Sequence, residues 1–154
     1  MATTDTNRMP KELLQSSGFL LKKLGFKVKE RSHAAFEPTG FTPFHHGVLA
    51  LLDEGARKTQ AEIADALGYD RSQLVGILDD LQEKGLVERE RDKDDRRRHL
   101  VRLTADGKRC LGELRAVSKG VEKDFFAPLT AEEQETLHDL LAKLAAEHVP
   151  RCAG

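Results

Sequence analysis

"TQAEIADALGYDRSQLVGILDDLQEKG", residues 59–85, is the stretch on which the fold turns. Thr59 followed three residues later by Glu62 has the form of a capping box, in which each side chain satisfies the other's backbone N–H. Ile63, Ala64 and Leu67 then share one helical face, and Gly68 stands where a helix ends in a left-handed glycine. Asp70, with Gln73 three residues on, opens a second helix whose apolar face is Leu74, Ile77, Leu78 and Leu81, closed by Gly85. Two short helices joined by about three residues that include a glycine describe a helix-turn-helix.

Downstream, "LVERER" and "RHLVRLT" alternate in the manner of strands, with Val87 in the first and Val101 and Leu103 in the second. The charge run between them falls at a hairpin loop, with Asp94, Asp95, Arg96, Arg97 and Arg98 at its tip. A helix-turn-helix followed by such a ribbon is a winged helix. Its second helix suits the major groove of a DNA duplex, and arginines at the hairpin tip suit phosphates or a narrow minor groove. With the apolar face fixed, the opposite face of the second helix presents Arg71, Ser72, Gln73, Val75 and Gly76. Arginine bonds guanine, glutamine adenine, serine either base or phosphate, and valine touches a thymine methyl. Asp79 and Asp80 lie on the same helix and would repel phosphate if they faced a duplex.

Outside this unit the pattern is helical. Pro10 opens "KELLQSSGFLLKKLGFKVKERSHAAF", where Leu13, Leu14, Leu20, Leu21, Leu24 and Val28 predict one long helix to Phe36. Thr42 and Pro43 make an N-cap and first-turn pair for a helix to about Asp53. Thr104 begins a long helix with Leu111, Leu114, Val117 or Val121, and Phe125 on its buried stripe. Pro128 breaks it, and Thr130 starts a last helix carrying Leu137, Leu140, Leu141 and Leu144. The fold class is therefore mainly α with a small β-hairpin wing. The expected segments are an N-terminal helix (1–36), a winged helix-turn-helix domain (37–104) and C-terminal helices (105–150).

Composition agrees and narrows the function. Charged residues are 33% of the 154 and aromatics 5%, which suits a helical chain. The net charge of −1 hides the local clustering that matters for a polyanion. Cys110 and Cys152, far apart and outside any Cys-x-x-Cys pair, argue against a zinc ribbon or disulfide framework and fit a reducing cytoplasm. His45 and His46 are adjacent in a helix and point about 100° apart, so they cannot hold one metal together. No metal or other cofactor is expected. With no glycine-rich phosphate loop, nucleophile elbow or acid pair on a rigid scaffold, an enzyme is not expected either. The N-terminal stretch has no apolar core of signal-peptide length, and "GVLALL" is too short to span a bilayer. A soluble cytoplasmic protein is expected.

Residues 59–107 resemble the winged helix-turn-helix of the MarR family of bacterial transcription regulators. The family's wing signature (Asp-x-Arg, three residues, an apolar residue, one more, then Leu-Thr) is met by Asp95, Arg97, Val101, Leu103 and Thr104. The likeness extends to the long first helix and the two C-terminal ones. It implies a homodimer interlocked through those three helices, binding a pseudo-palindromic operator in double-stranded DNA as a repressor. Their apolar surface, more than one small winged domain can cover, points the same way. The resemblance also implies that Asp95 orients Arg97, with Arg96 and Arg97 entering the minor groove. It further implies a small aromatic or anionic effector in a cleft near Phe36, Phe41, Phe44, His45 and His46, although core phenylalanines and solvated histidines are the simpler expectation for these residues. The chain departs from many relatives at Gly76, where they carry arginine or another large polar residue.

Some members sense oxidants through an N-terminal cysteine, which this chain lacks. Cys110 is the candidate redox residue, with Lys108 and Arg109 beside it to lower its pKa; as a small hydrophobe next to Leu111 it needs no such role. Two alternatives stay open: a winged-helix protein-interaction module without DNA binding, and a cysteine-based redox-sensing regulator.

Overall fold

Local signals are realised in order along the chain. The computed structural model describes residues 7–55 and 58–153. A short helix α1 (Lys11–Leu14) leads into α2 (Ser17–Phe36), a 3-10 turn over Glu37–Thr39, and α3 (Pro43–Asp53). The helix-turn-helix is α4 (Gln60–Leu67) and α5 (Arg71–Glu83). Strands β1 (Lys58–Thr59), β2 (Val87–Arg91) and β3 (His99–Leu103) form an antiparallel sheet in the order β1-β3-β2. Helices α6 (Ala105–Phe125) and α7 (Ala131–His148) follow, with a 3-10 turn over Pro150–Cys152.

The caps explain most boundaries. Thr59 and Glu62 exchange bonds of 3.2 and 3.3 Å at the start of α4, and Thr130 and Glu133 do the same at α7. Gly68 ends α4 at φ 68°, a backbone region costly to any residue with a Cβ. Thr104 closes the wing three ways. Its N–H bonds the Leu86 carbonyl (3.1 Å), its hydroxyl donates to the Gly85 carbonyl (2.7 Å), and its oxygen accepts the Gly107 N–H (3.0 Å). Gly107 is required by this closure, because a Cβ there would lie 2.1 Å from the Leu86 carbonyl oxygen.

Two expectations are corrected. The first helix is not continuous: Ser16 breaks it by accepting the Phe19 N–H at 3.2 Å, so α2 begins with its own cap. The ribbon is three-stranded, since Lys58 and Thr59 pair with Val101 and Leu100 of β3. Two residues are too few to show alternation, and Thr59 reads as a cap while also serving the strand.

One core ties the winged domain together. Leu49 and Val48 of α3, Ile63 of α4, Leu74, Leu78 and Leu81 of α5, Val87 and Val101 of the wing, and Leu111 and Leu114 of α6 are all essentially sealed from solvent. Phe36, at the end of α2, joins them. Helix α2 packs along α6, and α3 packs on α6. By contrast, α7 buries no residue, and Leu20, Leu21, Leu24 and Phe26 of α2 face solvent.

Candidate nucleic-acid interface

The first turn of a helix points free N–H groups outward, and what satisfies them decides how it meets a partner. In α5 the Asp70 carboxylate accepts the Ser72 and Gln73 N–H groups at 3.2 and 3.3 Å, and also the Ser72 hydroxyl. These bonds, the hydroxyl's foremost, hold the Asp70 carboxyl below its usual range. Ser72 is thus turned toward its own cap. Arg71, Ser72, Gln73, Val75 and Gly76 are all exposed, Val75 by 40%, and a Cβ on Gly76 would meet nothing within 4 Å. Among the described residues, the side chains of Arg71 and Gln73 form no hydrogen bond or ion pair. A notch between α4 and α5, lined by Gln60, Ala61, Arg71, Leu74 and Val75, runs beside this face.

Two acids of α5, Asp79 and Asp80, are each tied to another element, although Asp79 stays 59% exposed. Asp79 is bonded by the Arg89 guanidinium of β2, and Asp80 accepts from His45 Nε2 of α3 at 3.0 Å and from Lys84 Nζ. Arg89 also donates to Gln82 Oε1 (2.5 Å) and Gln60 Oε1 (3.0 Å), so one side chain joins β2 to both helices of the helix-turn-helix. Gln60, Arg89 and the His45 link escape a reading of the sequence. Their partners are 29, 10 and 35 positions apart, and no local period reports that separation.

The wing tip is a compact turn. The Asp92 N–H bonds the Arg98 carbonyl (2.9 Å) and the Arg98 N–H bonds the Asp95 carbonyl (3.0 Å). The Asp95 carboxylate accepts the Arg97 N–H at 3.1 Å, Arg97 Nε at 3.2 Å and Arg97 Nη2 at 3.4 Å. Those bonds from the Arg97 side chain, then from its backbone, hold the Asp95 carboxyl below its usual range. Arg97 is nevertheless 91% exposed. Arg98 reaches back to Glu62 of α4 at 3.2 Å, which clips the wing to the helix-turn-helix. The Arg96 side chain makes no bond among the described residues and lines a shallow basic pocket with Arg91, Asp92 and Lys93.

The five residues placed near an effector cleft separate. Phe36 is 2% exposed and lies in the core, with His46 against it at 5.8 Å between ring centroids. Phe41 packs edge-on to His45 at 5.6 Å. His45 Nδ1 accepts the Thr42 N–H (3.1 Å), so both ring nitrogens are engaged. Burial pushes the His45 pKa down more than Asp80 pulls it up; burial and then Arg115 lower that of His46. Phe44 lines a groove. That groove, of about 350 Å³ between α2 and α3, has walls of Val28, Pro43, Phe44 and Tyr69 and polar groups from Lys29, Ser32 and His33. Tyr69 meets Phe44 edge-on at 5.2 Å and sits in the turn just before Asp70.

Cys110 is half-buried against the core. Burial, and then Glu113, push its thiol pKa up. Lys108 and Arg109, the cations that the sequence sets beside Cys110, lie against Asp53 and Asp106. Among the described residues no group of three or more His, Cys, Asp or Glu side chains is placed to hold a metal, and no helix is long and apolar enough to cross a membrane.

Known proteins share this architecture. A sequence model of the MarR family matches residues 39–98. A Thauera aromatica protein described as the transcriptional regulatory protein for the hcr operon is 31% identical over 135 residues, covering 82% of this chain and 81% of that one. The transcriptional repressor CouR bound to a 23-mer DNA duplex has a TM-score of 0.79 and 31% identity over 90% of this chain and 99% of that one. CouR from Rhodococcus jostii RHA1 bound to p-coumaroyl-CoA has a TM-score of 0.73 and 30% identity over 88% and 96% of the two chains.

Proposed function

Because this chain belongs to the MarR family of transcriptional regulators, we propose that it is a cytoplasmic repressor that binds a pseudo-palindromic DNA operator as a homodimer and is released by a small ligand. One observation carries the DNA reading. An unpartnered polar face on α5 is accompanied by a wing whose Arg97 is almost fully exposed yet braced by Asp95. An exposed Asp–Arg pair adds little stability, so its use is to aim the guanidinium. Arg71, Gln73 and Val75 read base edges in the major groove, Ser72 joins them only by leaving Asp70, and Gly76 leaves room for close approach. Arg96 and Arg97 enter the minor groove, and Arg98 reaches phosphate only by leaving Glu62.

The unburied apolar faces of α2 and α7 support the dimer, since a second copy would cover them. Two winged domains related by a two-fold axis then meet half-sites about one helical turn apart. The groove against α2 suits an aromatic body packed against Phe44 and Tyr69 with an anionic group at Lys29. A ligand pressing on Tyr69 acts on Asp70, the cap of the reading helix.

Selection of duplexes from a random pool tests the function directly. The expected product is a two-fold symmetric consensus whose binding weakens steeply with salt. Recovery of no consensus and no salt-sensitive retention on DNA would favour a protein-docking module instead.

A further inference from the structure

Asp79 and Asp80 pose a problem for a DNA-reading helix, because two carboxylates on such a helix repel the phosphates it must approach. Each is held by a different element. Arg89 of β2 is only 20% exposed, and its guanidinium engages Asp79 and Gln82 of α5 and Gln60 of α4. A planar guanidinium serves acceptors from three nitrogens in a fixed fork, whereas an ammonium's three donors radiate from one atom. On the other flank His45, seated by the Thr42 N–H at the start of α3, donates through Nε2 to Asp80. Lys84, the C-cap residue just past α5, completes that site and lies over the Phe41 ring at 5.4 Å. The two carboxylates are adjacent, so their ties pull on α5 in different directions, one toward the wing sheet and one toward α3.

We propose that Asp79 and Asp80 are positioning residues, through which Arg89 and His45 fix the pitch of α5 as it lies in the DNA groove. This rests on the DNA-binding reading above. A rigid tie matters here because a reading helix delivers its side chains to base edges only at one angle. Neither acid touches DNA; each acts through its partner. The same arrangement explains why these two acids are compatible with a nucleic-acid partner, since each carboxylate is matched by a cation or an N–H donor.

The sign of a charge-removing substitution separates this role from a bystander's. Asp79→Asn and Asp80→Asn each remove one negative charge from α5, and a bystander acid facing a duplex would bind DNA more tightly when neutralised. As positioning residues they should bind the selected duplex about five- to tenfold more weakly, with an unchanged slope of log affinity against log salt. Arg89→Lys keeps the charge but not the fork, and should weaken binding to the same degree at the same slope. If Arg89 touched phosphate instead, the conservative lysine would retain affinity. Circular dichroism of each variant confirms that the helices are kept; should Asp79→Asn fail to fold, the Arg89→Lys result decides, and should Asp80→Asn fail, His45→Phe, which removes the N–H donor to Asp80, decides in the same way. Tighter or unaltered binding by the folded variants overturns the proposal alone. No binding by the wild-type chain to any duplex overturns the DNA-binding reading and this proposal with it.

Discussion

Helices α5 and α7 are both amphipathic, yet they meet solvent in opposite ways. On α5, Leu74, Ile77, Leu78 and Leu81 are sealed beneath the sheet and α3. On α7, Leu140 and Leu144 are 57% and 51% exposed, and the helix buries nothing. The same apolar spacing has found its complement inside the chain in one case and not in the other. The winged domain closes its core with Leu111 and Leu114 of α6 and Phe36 of α2, whereas α7 and the outer face of α2 leave their apolar side chains open to another surface. Reading and assembly are divided between the two regions.

The largest effect should come from the closed core. Leu78→Ala opens a cavity where α5 meets the core and should cost about 2–5 kcal/mol in denaturant unfolding. A cost well below that range would break the contrast, since it would mean that α5 too depends on an outside partner. The open region is tested by Leu140→Glu combined with Leu144→Glu. Sedimentation should show the mass drop from twice the 17.2 kDa chain mass to the single chain, with helical content retained. Operator affinity should fall at least tenfold, because two half-sites are no longer linked. A double variant that stays dimeric would place the interface elsewhere.

Within the winged domain, the reading helix and the wing should behave differently. Gln73→Ala should relax preference at one or two base positions, losing about 1–3 kcal/mol of discrimination in competition binding. Arg97→Ala should weaken binding to every duplex and flatten the salt slope by about 0.9 per lost phosphate contact. Equal effects of both substitutions on all sequences would erase the distinction between reader and brace.

The smallest expected effect is a pH dependence. The His45 pKa is lowered in the folded chain from its usual 6.5, chiefly by burial, so the unfolded chain takes up the proton first. Stability from this site is therefore full above about pH 6.5 and declines as pH falls through the lowered native value. His46 is shifted the same way, so both contribute. His45→Gln keeps an acceptor for the Thr42 N–H and a donor for Asp80 without the titration. Its melting temperature should fall less than the wild type's between pH 7 and 5, and identical profiles would remove His45 from this role.

The sequence carries the helix-turn-helix because its information is local. Thr59 and Glu62, Gly68, Asp70 and the leucine spacing each act within four residues, and each appears in place. Asp95 and Arg97 are equally local and pair as expected. What escaped reading is long-range or minimal. Strand β1 has only two residues, and the Ser16 break is a side-chain choice that competes with helix in a stretch otherwise periodic. The ties of Asp79 to Arg89, Asp80 to His45 and Arg98 to Glu62 span 10, 35 and 36 positions. The groove is similar: Phe44 is evident from the sequence, but Lys29 and Tyr69, which join it, come from α2 and the turn before α5.

Titration of a duplex recovered by random-pool selection, followed across a salt series by fluorescence anisotropy, tests the central claim most directly. Two chains should bind each duplex, and log affinity should fall linearly with log salt over several phosphate contacts. One chain per duplex, or an affinity indifferent to salt, would contradict a dimer that grips DNA with α5 and the wing.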